Sequence, residues 1–251
     1  MKQTNDVRQL SIDNITSQAW GLTKKHFLIF LLLTIIVQII GGIPSGIQYI
    51  DYMKVLMSTG DPAMAERIML ESAASGMQLT AIFAGILCLI IQMYPTIVFY
   101  RLANDAAKGE EPDLSARLKD GFRGFGLFLI TDIVYIFAIW LGTICCLLPG
   151  IFLGVRFVFA PIIAALHPER SLKECFAQSW QITKGNFWNL FLLGIIAILL
   201  SILGLICCCV GVLVTSIITY FMLILAYRTL SGETEEKAED FTSENLTVVS
   251  E

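Results

Sequence analysis

The sequence predicts an all-α, polytopic integral membrane protein of six transmembrane helices arranged as three hairpins with cytoplasmic interfacial helices. Three observations carry that expectation. Of 251 residues, 56% are hydrophobic and 15% are charged, against about 45–50% and about 25% in an ordinary globular chain, and the mean hydropathy is +0.73. The apolar residues gather into runs close to the roughly 20 residues that a helix needs to cross a hydrocarbon core. The cations fall unevenly between those runs, as they do in an oriented membrane protein. This composition excludes a water-soluble enzyme.

The first span is expected from Phe27 to about Ile43, after Lys24, Lys25 and His26 and before Gly42 and Pro44. The polar stretch ahead of it and the lack of a small-residue cleavage site after it mark a retained span, not a signal peptide. The second runs from about Leu79 to Tyr100 and contains Pro95, expected to kink it. The third runs from Phe125 to Leu148, and Pro149-Gly150 offers a tight turn into a shorter fourth, Ile151 to about Leu166. The stretch from Leu190 to Leu225 is too long for one crossing, so two helices (about 190–205 and 210–228) are expected to turn between Gly204 and Gly211. The transmembrane domain thus covers residues 1–230. Residues 231–251 hold seven acids and one lysine; such a tail cannot bury a core and reads as disordered and cytoplasmic.

Orientation follows from the cations. Fourteen of the 17 Lys and Arg residues lie in the two tails, the loop after the second span and the loop after the fourth. Only Lys54 and Arg67 lie in the opposite loop, and Arg156 is inside a span. The positive-inside rule places both termini in the cytoplasm.

At an offset of 160 residues the chain repeats itself. Ser17-Gln-Ala-Trp-Gly-Leu-Thr-Lys-Lys-His-Phe27 aligns with Ala177-Gln-Ser-Trp-Gln-Ile-Thr-Lys-Gly-Asn-Phe187. Each copy runs into a span, and a looser third copy is Ser115 to Phe128. The exits echo each other too, in Tyr100-Arg101 and Tyr227-Arg228. Trp20, Lys24, Trp180, Lys184, Tyr227 and Arg228 therefore read as interfacial anchors, aromatics at headgroup depth and cations toward lipid phosphates. The alternative is that the repeats build a substrate path where they meet, as in many transporters.

Leu148-Pro-Gly-Ile-Phe-Leu-Gly-Val-Arg-Phe-Val-Phe-Ala-Pro161, followed by Ser171-Leu-Lys-Glu-Cys-Phe-Ala-Gln-Ser-Trp-Gln-Ile-Thr-Lys-Gly-Asn-Phe-Trp188 and the Tyr227-Arg228 exit, resembles a bacterial membrane-protein superfamily. That superfamily includes the membrane domain of some glycerophosphodiester phosphodiesterases and the YciC-type stand-alone proteins. The resemblance covers roughly Leu148 to Gly232, and the first half only by layout. It implies six spans in a bacterial inner membrane. No large polar domain follows the spans, so it does not imply phosphodiesterase activity here.

Asp132 and Arg156 are the charges expected inside spans, and an intramembrane ionisable residue is a candidate functional site. They are not expected to pair, because helix rise puts Asp132 about 26 Å and Arg156 about 9 Å from the outer turn. Asp132 instead falls at the depth of Gln92, and with Thr96, Thr131 and Tyr135 these residues could form one polar cluster. That cluster reads either as a proton or cation relay or as hydrogen-bonding glue between helices, worth about 1 kcal/mol per contact. Arg156 is expected to snorkel outward or to bind carbonyls near Pro149 and Pro161.

Of the seven cysteines, Cys145 and Cys146 share the outer side with Cys207, Cys208 and Cys209, where a bridge is conceivable. No spacing matches a metal site, and free buried thiols are the alternative. The loop from Pro44 to Thr80 suggests two short apolar helices broken at Gly60-Asp61-Pro62. No cofactor, no catalytic constellation and no nucleic-acid partner is expected. The two functional classes left are a non-catalytic scaffold that binds lipid and a protein partner or a second copy, and a small-solute, ion or lipid transporter using Asp132 and Arg156.

Overall fold

The computed structural model describes residues 10–74, 78–206 and 208–232, so the acidic tail beyond Gly232 lies outside the described residues. Those residues form helices and no strand. In order they are α1 (Ile12–Lys25), α2 (Phe27–Thr59), α3 (Pro62–Ala74), α4 (Gln78–Ala107), α5 (Leu114–Asp120), α6 (Phe125–Cys145), α7 (Leu147–Phe157), α8 (Ala160–Leu166), α9 (Leu172–Thr183), α10 (Phe187–Ile206) and α11 (Cys208–Ser231). Five stretches are long and apolar enough to cross a membrane: Gly85–Ala107, α6, Leu147–Leu166, α10 and Gly211–Ser231. A sixth is reached if α1 and Phe27–Gly42, which meet at 92°, count as one broken span. The protein is therefore an all-helical, multi-pass membrane protein.

The outward faces agree with this. On α6, Ile133, Ile136, Phe137 and Trp140 are 54–65% exposed, and on α10 so are Ile198, Leu199 and Leu203 at 57–61%. Such rows are unfavourable in water and ordinary against lipid.

The chain divides into two compact units, Leu32–Thr96 and the remainder (Met1–Leu31 with Ile97–Glu251). In the Leu32–Thr96 unit, the helix carrying the expected first span runs on to Thr59. It stops at Gly60, whose φ of +66° suits a residue without Cβ. Asp61 then accepts from the Ala63 N–H at 2.9 Å, with Pro62 at the first helical position, where its missing N–H costs nothing. The break predicted at Gly60-Asp61-Pro62 is thus a C-cap joined to an N-cap. α4 continues through Pro95.

The larger unit has an aromatic core. Phe30 meets Phe99 and Phe221 edge-on at centroid distances of 4.9 and 4.7 Å, and Phe159 lies 5.9 Å from the fully buried Tyr227. The 160-residue repeat is a repeat of packing. α1 buries Ile15, Ala19 and Thr23, and α9 buries Cys175, Ser179 and Thr183 at the same offset. Spacings of four residues place each triplet on one helix face. Both threonines return their hydroxyls to the carbonyl four residues back, Thr23 to Ala19 at 2.8 Å and Thr183 to Ser179 at 2.9 Å, so a polar group is buried without a missing bond. The looser third copy differs, since α5 is a seven-residue helix that buries nothing.

α6 and α7 form the hairpin predicted for spans three and four, but the turn is displaced. The extended residue is Cys146 (φ −173°, ψ 150°), and Pro149-Gly150 lies inside the first turn of α7. A proline is tolerated there because the first helical N–H groups have no intrahelical partner. Gly150 serves contact instead of turning: a Cβ on Gly142 would lie 2.9 Å from the Gly150 Cα, so the two helices touch through backbone as small-residue membrane interfaces do. The fourth segment breaks into α7 and α8 at Val158-Phe159.

Carboxylates take part in the N-terminal caps of α5 and α9. Asp113 caps α5 by accepting from Ser115 and Ala116, and Ser171 with Glu174 makes a reciprocal capping box on α9. Hydrogen bonds from the Ser115 side chain and from the backbone hold the Asp113 carboxyl below its ordinary value, and those from the Ser171 backbone and hydroxyl do the same for Glu174. A native value below the unfolded one means that the caps are complete above the ordinary carboxylate range. They are lost as pH falls through the depressed native values. Acidification is therefore expected to fray both first turns, read as a loss of helical circular dichroism. Asp113→Asn, which caps without titrating, should remove the α5 part of that loss.

Candidate functional site

The charges near the ends of α4 and α11 form a network that the sequence reading did not anticipate. Arg101, 7% exposed, donates from Nε to the Ala165 carbonyl at 2.8 Å, from Nη1 to Asp120 at 2.5 Å and from Nη2 to Arg123 at 2.6 Å. Ala165 lies in the last turn of α8 and Asp120 ends α5. One guanidinium thus serves carbonyls at two helix C-termini, that of Asp120 also accepting from the Arg123 N–H, where a cation is favoured by the helix dipole. One turn further along α4, buried Asp105 receives Arg117 in a two-pronged bond at 2.6 and 2.8 Å. Asn104 receives Nη1 of Arg228 at 3.1 Å. Tyr227 pairs its hydroxyl with His167 Nε2 at 3.3 Å, and His167 Nδ1 lies 3.4 Å from Glu169. A cleft of about 290 Å³ opens beside the network, with Lys108 and Arg123 on its wall.

Trp20 and Trp180 are 46% and 40% exposed, and Lys24 lies 4.9 Å from the Trp20 ring. Lys184 is the C-cap residue of α9. Tyr227 and Arg228 are placed otherwise: they are 0% and 4% exposed, facing inward to His167 and Asn104 and not outward to headgroups. The physical reason is that a span end packed against α4 and α8 offers these side chains polar partners that lipid does not. A sequence signal for the network existed in Arg101, Asn104 and Asp105, which at spacings i, i+3 and i+4 share one helical face at the end of an apolar run.

Asp132 is half-buried on α6. The phenols of Tyr100, Tyr135 and Tyr220 lie close enough to interact electrostatically with it. Tyr135 donates to the Gly154 carbonyl at 3.2 Å, and the Tyr100 and Tyr220 rings are 5.5 Å apart. Thr131 turns its hydroxyl back to Leu127 in its own helix. Gln92 and Thr96 belong to the other unit. There Thr96 donates to the Gln92 carbonyl at 2.9 Å, and the Gln92 amide lies against Gly41, where a Cβ would come within 2.8 Å of its Nε2.

Arg156, at the end of α7, is surrounded by aromatic rings. Its guanidinium carbon lies 4.7 Å from the Trp180 ring centre, 5.3 Å from Phe152 and 6.0 Å from Phe187, within cation–π range. Nη1 reaches Thr183 Oγ1 at 3.5 Å, and Nε is buried without a partner. The Arg156 carbonyl accepts from Ser179 at 2.9 Å. Among the described residues its side chain bonds neither the carbonyls near Pro149 nor those near Pro161, one of the two arrangements expected for it. Cys145 and Cys146 are exposed free thiols, and the side chains of Cys207 to Cys209 lie outside the described residues.

No protein-family model, curated protein or solved structure matches this chain. Fold and network together define a helical multi-pass membrane protein whose buried cations are tied to its own backbone and side chains.

Proposed function

We propose that the protein is a non-catalytic membrane scaffold that binds lipid and a protein partner or a second copy of itself. One observation carries the reading: the buried charges at the ends of α4 and α11 are committed to bonds within the protein, Arg101 to three carbonyls, Asp105 to Arg117 and Arg228 to Asn104. They therefore fix the helix ends and are not free to accept a solute. The apolar exterior of α6 and α10 is open to interaction. The cation bias of the sequence supports a cytoplasmic location for both termini. The likeness of the stretches around Arg156 and Trp180 to a bacterial superfamily supports an inner-membrane setting.

The second reading, a transporter, rests on Asp132 and its three tyrosines. In the scaffold reading Asp132→Asn keeps the size and polarity of the side chain and loses only the charge. It is expected to match the wild type in complementation and in proteoliposome ion and solute flux. A tenfold or larger loss of a wild-type flux in Asp132→Asn, with the protein still folded, would establish the transporter in its place.

A further inference from the structure

The Arg156 cage and an apolar groove share two walls. Leu148, Ile151, Phe152, Phe187, Trp188 and Phe191 line a groove of about 450 Å³ with almost no polar surface. Phe152 and Phe187 are also two of the three rings around the Arg156 guanidinium. The two faces of the groove are joined by an aromatic contact, Phe152 on α7 lying 5.4 Å from Phe187 on α10, and within α10 Trp188 lies 6.0 Å from Phe191. Its volume is in the range of sites that hold small molecules.

The cation at its edge is under-used. The three rings surround the guanidinium but offer its N–H groups no oxygen or nitrogen acceptor. Nη1 has one long bond to Thr183, Nε has none, and among the described residues no carboxylate lies within salt-bridge distance of Arg156. Buried donors in native structures are nearly always satisfied, so each unsatisfied one calls for a partner. Arg101 makes the contrast, with all three of its nitrogens on carbonyls. A guanidinium fork held by rings next to an apolar slot matches one chemistry, an anionic oxygen joined to a hydrocarbon chain.

We infer that Arg156 and the groove beside it form a binding site for an anionic phospholipid, the phosphate on the Arg156 edge and an acyl chain between α7 and α10. The exposed rows of α6 and α10 contact any lipid, whereas this site selects by headgroup charge.

Tryptophan quenching by brominated acyl chains reads the site directly, since Trp188 lines the groove and Trp180 the cage. Trp20→Phe and Trp140→Phe remove the other two tryptophans. Reconstituted protein is titrated with brominated phosphatidylglycerol and, separately, brominated phosphatidylcholine. Quenching is expected to saturate at about tenfold lower mole fraction of the anionic lipid, the difference that one charge-assisted hydrogen bond makes. Arg156→Gln is expected to abolish that preference, and Arg156→Lys to retain part of it. Should Arg156→Gln not fold, Leu148→Phe narrows the groove with the guanidinium in place and adds no fluorophore, and it is expected to weaken binding of the anionic lipid. Equal quenching by both lipids in the wild-type background, a preference unchanged in Arg156→Gln, or anionic-lipid binding unchanged in Leu148→Phe, overturns the inference.

Discussion

Arg101→Met is expected to destabilise the protein by about 3–5 kcal/mol, the range for removing one partner of a buried, charged hydrogen-bonded group. Methionine fills similar space, so the loss measures bonds more than volume. Three carbonyls, those of Ala165, Asp120 and Arg123, lose the guanidinium together, and that of Asp120 keeps only the Arg123 N–H. Two of them close helix ends, so the loop carrying α5 should detach first. The expected readout is a markedly lower unfolding temperature in detergent, with new protease sensitivity between Gly109 and Arg123. Arg101→Lys tests the geometry: a lysine keeps the charge but cannot reach three carbonyls in a planar fork, so most of the loss should remain. Arg117, 35% exposed, is the milder case, although its removal leaves the 7%-exposed Asp105 side chain without its bidentate partner.

Gly150→Val is the second large effect, expected to cost about 2–3 kcal/mol through overpacking. A Cβ at Gly150 would lie 2.9 Å from the Thr143 nitrogen and 3.0 Å from its Cα. The obstruction is backbone, which cannot rotate away, so α6 and α7 must separate. Gly126→Ala on α6 is the control, because a Cβ there meets nothing within 4 Å. Unfolding in increasing SDS should show Gly150→Val falling at lower detergent fraction and Gly126→Ala unchanged or slightly later.

These residues show what could be read in advance. The helical class and the apolar segments were legible because hydrocarbon imposes a single strong rule, that backbone polar groups be satisfied within a helix and outward side chains be apolar. The repeat was legible as identical residues, and its burial pattern follows from spacings of four. The displaced turn was not legible: Pro149-Gly150 has turn composition, yet close contact with Gly142 takes the glycine and the tolerance of first helical turns takes the proline. The network around Arg101 was missed because counting cations by side treats each as a solvated charge, whereas a span end packed against other helices has carbonyls to offer it. Arg156 was singled out as an intramembrane charge. Its aromatic cage could not be read from sequence, since Phe152, Trp180 and Phe187 come from three segments.

The proposed role is tested most directly by photocrosslinking in native membranes. A photoreactive residue is placed in turn at Ile136, Phe137 and Trp140 on α6, and at Leu199 and Leu203 on α10, all more than half exposed. A scaffold predicts a discrete protein adduct, the same species by mass spectrometry at each reactive position and confined to one helical face. Labelling of lipid alone at every position, together with a solute flux that requires Asp132, would contradict it.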